Sequence, residues 1–204
     1  MDYRGRIVGM ETLPAPLPTN TALLLVDLQK AIDDPRWSQL GPRNNPQAEA
    51  NVAALLAAWR RDGRPIVHIR HDSTEPDSTY RPGSPGHAFK EEAMPLPGEA
   101  VIGKRVNSAF IGTGLDDWLR ARGIGTLVVT GVITNNSVEA TVRMAGNLGY
   151  DVRLVADACF TFARKDRSGR LRTADEVHDL SLANMDGEYA TVVDTAEVLG
   201  EVSR

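Results

Sequence analysis

The chain has 204 residues, 42% of them hydrophobic, with 23 Lys plus Arg against 27 Asp plus Glu and a net charge of −4. That length suits one domain over residues 1–204 with a sizeable core, and the lack of a basic cluster argues against nucleic acid or an anionic membrane as partner. Residues 1–20 carry acids and prolines but no apolar block, as no signal peptide would, the longest apolar run, LLLV at 23–26, is too short to span a bilayer, and the single Cys159 excludes an internal disulfide, so the expectation is a cytoplasmic protein acting on a small molecule.

Aliphatic runs at residues 22–26, 65–69, 100–102, 126–130, 151–155 and 190–193 read as strands. Most lack polar alternation, as strands covered on both faces do. Between the first two, Val52, Leu55, Leu56 and Trp59 repeat at helical spacing and Gly63 supplies a stop. Residues 72–98 then break the rhythm. They are rich in Pro, Gly, Ser and charge, and a loop of that length is expected to wall or cover a pocket. Leu115, Trp118, Leu119 and Arg122 mark a second helix ended by Gly123, and Val138, Thr141, Val142, Ala145 and Leu148 mark a third closed by Gly149. Residues 163–173 read as a polar surface loop, and 174–185 as a fourth helix. Strands alternating with helices predict an α/β fold with a parallel sheet covered on both faces.

In such a sheet, ligands bind beyond the carboxyl ends of the strands. The residues following the aliphatic runs are Asp27, then His71 and Asp72, then Lys104, then 131–137 with Ser137, then Asp157. A carboxylate, an ammonium and a hydroxyl thus converge on one rim, which is the pattern of an active site. Each also has a structural alternative. Asp27 and Lys104 could form a plain ion pair at a strand end. Ser137 could be an ordinary helix cap, and Asn136 with Glu139 three residues on fits a capping box.

Other motifs carry less. Residues 98–104 have the spacing of a phosphate loop, but Arg105 stands where Ser or Thr would hold the metal, and the intervening AVI reads as strand. His68 and His71 point to opposite faces if they lie on a strand, so no metal site is expected. Cys159, after an apolar strand, reads as a packed, inert thiol. Tyr80, Arg81 and His87 from the long loop, with Trp37 and Phe110 as flat walls, are the candidate substrate contacts, and they suit a small planar or ring-bearing molecule.

The segments LLLVDLQ, GKRVNSAFIGTGLDDWLRARGI and LVVTGVITNNSVEATVRMAGNLGYDVRLVADAC resemble, in order and spacing, the isochorismatase-like or cysteine hydrolase superfamily. The resemblance covers about residues 21–157. It implies a three-layer α/β/α sandwich around a six-stranded parallel sheet, assembly into homo-oligomers (dimers or tetramers), and hydrolysis of a small-molecule amide or ester without a cofactor. It also implies an Asp–Lys–Cys triad, here Asp27, Lys104 and Ser137. A cis peptide would join Val132 and Ile133, and the N–H groups of Ile133 and Ser137 would form the oxyanion hole. Serine in place of cysteine departs from the family at the nucleophile, because a hydroxyl is far harder to ionise than a thiol. The favoured expectation is an amide or ester hydrolase with an Asp–Lys–Ser triad. The alternatives are an isochorismatase-type vinyl ether hydrolase using Asp27 as general acid, with Arg81, Arg105 and Lys104 supplying charge for two acidic groups, and an inactive binding or assembly protein.

Overall fold

A computed structural model describes residues 16–202, so most of the leading segment read above, residues 1–15, lies outside the described residues. Six parallel strands form one sheet: β1 (Ala22–Val26), β2 (Ile66–His71), β3 (Ala100–Lys104), β4 (Thr126–Val132), β5 (Asp151–Phe160) and β8 (Thr191–Val193), in the order β3-β2-β1-β4-β5-β8. β6 (Arg164–Lys165) and β7 (Leu171–Arg172) make a separate antiparallel hairpin. The helices are α1 (Ala48–Arg61), α2 (Leu115–Arg120), α3 (Glu139–Asn147), α4 (Ala174–Ala183) and α5 (Thr195–Val202).

The sheet separates two apolar layers because neighbouring strand residues point to opposite faces. Leu23 and Leu25 of β1 pack with Val52, Leu55, Leu56 and Trp59 of α1 and Val198 of α5. Leu24 and Val26 pack instead with Leu115 and Leu119 of α2 and Val142 of α3. Trp59 is fully buried and donates its indole N–H to the Thr21 carbonyl at 3.0 Å, which satisfies its one polar atom.

From β1 the chain winds outward through β2 to β3, and from β4 it winds the other way through β5 to β8. The β1–β4 boundary is therefore the switch point, where an α/β sheet opens a crevice. β1 and β4 approach tightly there. Gly131 has φ +133°, and a Cβ on it would stand 2.1 Å from the Val26 carbonyl oxygen, so only glycine fits.

Three expectations change. β2, β3, β4 and β5 each run two to five residues further than the aliphatic runs, because polar residues such as His71 and Lys104 keep ladder pairing. The segment 163–173 is the β6–β7 hairpin rather than a plain loop. Asp166 organises it, accepting from the Ser168 and Arg170 amides and from Arg172 Nε. Asn136 and Glu139 form no capping box: residues Thr134–Val138 make a π turn, and Glu139 turns to Arg143 and Ser181. The capping box lies instead at Thr173 and Glu176, at the start of α4.

The long segment 72–98 is pinned across the end of β1. Gln29 Nε2 donates to the His71 and His87 carbonyls at 3.2 and 2.9 Å, and the Lys30 amide donates to the Ala88 carbonyl at 2.8 Å. Among the described residues, no helix is long and apolar enough to cross a membrane.

Candidate active site

Asp27 follows the last residue of β1. Its backbone turns into the left-handed region, φ 54°, while its amide still bonds the Ile69 carbonyl at 3.0 Å. An Asp tolerates that conformation better than most residues, and the turn tips its carboxylate off the ladder. Lys104 ends the edge strand β3, paired with His71. Its side chain is buried, and Nζ donates to Asp27 Oδ2 at 2.7 Å, to the Val106 carbonyl at 3.1 Å and to Ser137 Oγ at 3.2 Å. Ser137 lies in the turn between β4 and α3, just after the Val132–Ile133 peptide, which is cis. Three segments distant in sequence thus meet around one ammonium group.

Burial sets the electrostatics. It raises the Asp27 carboxyl above its ordinary value of 3.8, while Lys104 and the Ser137 hydroxyl pull it only part of the way back. Asp27 Oδ1 is buried and has no hydrogen-bond partner among the described residues. His71 Nδ1 lies 3.4 Å from Lys104 Nζ. Burial, helped by the Lys104 charge, lowers the His71 pKa to about 4, so at neutral pH its ring is uncharged and places no second cation beside the ammonium.

The other candidates separate. Tyr80 is buried with its hydroxyl 3.4 Å from the Asp27 carbonyl, and its ring packs edge-on against His71 and Trp37. Trp37 stacks on Phe162, centroids 5.9 Å apart and planes at 27°. His87 Nε2 pairs with Asp72 Oδ1 at 2.7 Å. Phe110 is 9% exposed and packs in the core against Tyr150, on the opposite side from Trp37. Arg81 and Arg105 are exposed, whereas Lys104 is buried. Asp157 accepts from the Thr195 amide and hydroxyl at 2.8 and 2.7 Å, which fixes the start of α5. His68 pairs with Glu99 at 2.8 Å, away from His71.

Sequence reasoning missed His178 of α4. It is 5% exposed, and its Nδ1 lies 2.8 Å from Thr134 Oγ1, three residues before Ser137. Ser181, one turn further along α4, reaches the Thr134 carbonyl at 3.3 Å and Glu139 Oε2 at 2.6 Å. The i, i+3 spacing of His178 and Ser181 was visible, but nothing in the sequence said which turn that helix face would meet.

A cleft of about 340 Å³ lies against the serine turn, walled by Trp37, Ile133, Asn135, Asn136, Phe162 and Arg164 among others. A larger one of about 840 Å³ lies between the hairpin and α4 and shares Asn135 and Arg164 with the first. The smaller adjoins the serine turn, since its wall includes Ile133, just before the turn, and Asn136, the neighbour of Ser137. Ser137, at 8% exposed, is more open to solvent than Asp27 or Lys104.

The family model for the isochorismatase domain matches residues 21–197. The chain belongs to the isochorismatase family. Within that family, YrdC of Bacillus subtilis is 41% identical over 180 residues, covering 88% of this chain and 95% of that protein. The ureidoacrylate amidohydrolase RutB of Methylobacterium radiotolerans is 30% identical over 251 residues, covering 100% of this chain and 90% of that one. A crystal structure of an isochorismatase-family protein from Chromobacterium violaceum superposes with a TM-score of 0.89 at 61% identity, covering 93% of this chain and 98% of that chain. The six-stranded parallel sheet between helices is the family's fold, and members of the family are hydrolases.

Proposed function

We propose that this isochorismatase-family protein hydrolyses a small-molecule amide or ester, with Ser137 as nucleophile, Asp27 as general base and Lys104 as the group that binds both. The supporting observation is that one buried ammonium, Lys104 Nζ, lies 2.7 Å from Asp27 Oδ2 and 3.2 Å from Ser137 Oγ. Lys104 donates to Ser137 Oγ, which leaves the hydroxyl proton free to point elsewhere and stabilises the oxygen as it gains negative charge. Asp27, with its pKa raised by burial and Oδ1 unpartnered, is a stronger base than an ordinary carboxylate.

In the proposed reaction Asp27 takes the proton as Ser137 Oγ bonds to the carbonyl carbon. The carbonyl oxygen becomes an oxyanion that the N–H groups of Ile133 and Ser137 receive. The C–N or C–O bond then breaks, and the leaving group collects its proton from Asp27. Water, deprotonated by Asp27, attacks the acyl-serine; the bond from the acyl carbon to Ser137 Oγ breaks, Asp27 returns its proton to Oγ, and the acid is released. Relatives named as an amidohydrolase and as a streptothricin hydrolase support the hydrolytic class. The vinyl ether alternative loses ground, because Lys104 is engaged by Asp27 and Arg81 and Arg105 stand exposed.

Replacing Ser137 by Ala is expected to lower kcat by about a hundredfold or more, as removal of a nucleophile does, and to abolish an acyl adduct visible by intact mass. Asp27→Asn is expected to be as damaging. An unchanged rate in the Ser137→Ala protein, alongside a dead Asp27→Asn protein, would move the reading to acid catalysis without a nucleophile.

A further inference from the structure

The cleft beside the serine turn has a charge pattern that the triad does not use. Its wall carries two cations, Arg36 and Arg164, and no carboxylate. Arg36 is already engaged, by Asp34 at 3.0 Å and by the Asp77 carbonyl at 3.0 Å. Among the described residues no ion pair engages Arg164, whereas its hairpin neighbour Arg172 pairs with Asp166 and Glu176. The remaining polar wall is neutral: Gln39, Asn135, Asn136 and Thr161.

Phe160 and Phe162 pack in the same apolar layer as Trp37, and Phe162 and the exposed Arg164 both line the cleft. Phe162 stacks on Trp37 and meets Phe160 edge-on at 6.1 Å. Arg164 therefore follows directly on an aromatic wall. The hairpin that carries it is braced by Asp166, whose carboxyl the Ser168 hydroxyl, the Ser168 and Arg170 amides and Arg172 hold down at about 2. A flat apolar wall ending in a cation without an acid partner is a receptor for a molecule with a flat body and an anionic tail.

We propose that the cleft is the substrate's acyl-side subsite, and that Arg164 selects substrates bearing a carboxylate remote from the scissile bond, with a planar segment lying along Trp37 and Phe162. This rests on the hydrolase reading above and names the substrate class for it. Arg164 is a specificity residue in this scheme: it contacts the substrate's far end and takes no part in bond breaking.

The probes are 4-carbamoylbenzoate and benzamide, the same flat amide with and without a remote carboxylate. Binding is measured by calorimetry on the Ser137→Ala protein, and ammonia release is measured separately on the unaltered chain. Binding to the Ser137→Ala protein is expected to favour 4-carbamoylbenzoate by about tenfold or more, and that preference is expected to fall to near unity in Ser137→Ala/Arg164→Ala and to recover in part in Ser137→Ala/Arg164→Lys. Equal affinity for both probes, no binding of either, or a preference that survives Arg164→Ala overturns the subsite. Ammonia release from neither probe, with the Arg164-dependent preference intact, counts against the hydrolase reading and leaves the subsite standing.

Discussion

At Asp27 the same cause acts on activity and on stability with opposite signs. Burial raises its carboxyl above 3.8, so the ionised form that serves as base appears only at higher pH than for an exposed Asp. The acid limb of kcat/KM should therefore lie above pH 3.8 and should vanish with Asp27→Asn. For stability, a group whose folded pKa is raised contributes fully below its unfolded value, and that contribution is lost as pH rises through the folded one. Thermal unfolding followed across the acid limb should thus show Asp27's contribution to stability declining where activity climbs. An acid limb at or below pH 3.8 would contradict the burial argument. His71 has the reverse sign. Its pKa, lowered to about 4, favours the folded state above 6.5, and that advantage declines as pH falls toward 4. At the nucleophile, Ser137→Cys is expected to raise the rate, since a thiolate forms at neutral pH far more readily than an alkoxide.

At the scale of the element, α4 anchors the serine turn. Burial lowers the His178 pKa against the pull of Asp179, Asp175 and the Ala156 carbonyl, which favours the uncharged ring, and its Nδ1 shares a hydrogen bond with Thr134 Oγ1 at 2.8 Å. His178→Ala leaves that hydroxyl without its partner. It is expected to cost about 1–3 kcal/mol in unfolding free energy and to lower kcat more than it raises KM, because the turn that carries Ser137 loosens. His178→Gln, which restores an acceptor, should recover much of both. A stability loss with kcat untouched would make α4 a merely structural neighbour.

This scale also explains what the sequence revealed and what it hid. The first strand was legible residue for residue because LLLV is apolar on both faces. The ends of β4 and β5 were not, because the pairing shifts between Val129 and Gly131 and the extra residues of β5, including Asp157, do not look like strand. The meeting of Asp27, Lys104 and Ser137 was legible from polar residues that follow aliphatic runs. Phe110 was misplaced because it lies in the turn after β3, where no strand alternation says which layer receives the ring, and the turn carries it into the layer of α2 and α3. Arg164 was hidden in a charged run whose pairing depends on the Asp166 turn. Helix α5 escaped because TAEVLGEV is short and carries a glycine.

For the whole molecule, the sheet acts as a partition. Leu55 of α1 and Leu119 of α2 are both fully buried, in different layers with the strands between them. Leu55→Ala and Leu119→Ala should each cost about 2–5 kcal/mol. Since the sites share no partner, the double variant should lose the sum to within about 0.5 kcal/mol. A much larger or smaller loss, read by denaturant unfolding, would mean that the layers communicate through the strands.

Cys159 sits where that partition is tightest, paired with Gly131 across β4 and β5, fully buried, with burial raising its thiol to about 12. As the chain's one sulfhydryl, it is a timer for the opening of these central strands. An alkylating reagent should mark it at the rate at which β4 and β5 part, whatever the loops outside are doing, so a single mass increment would register whole-body unfolding and ignore surface breathing.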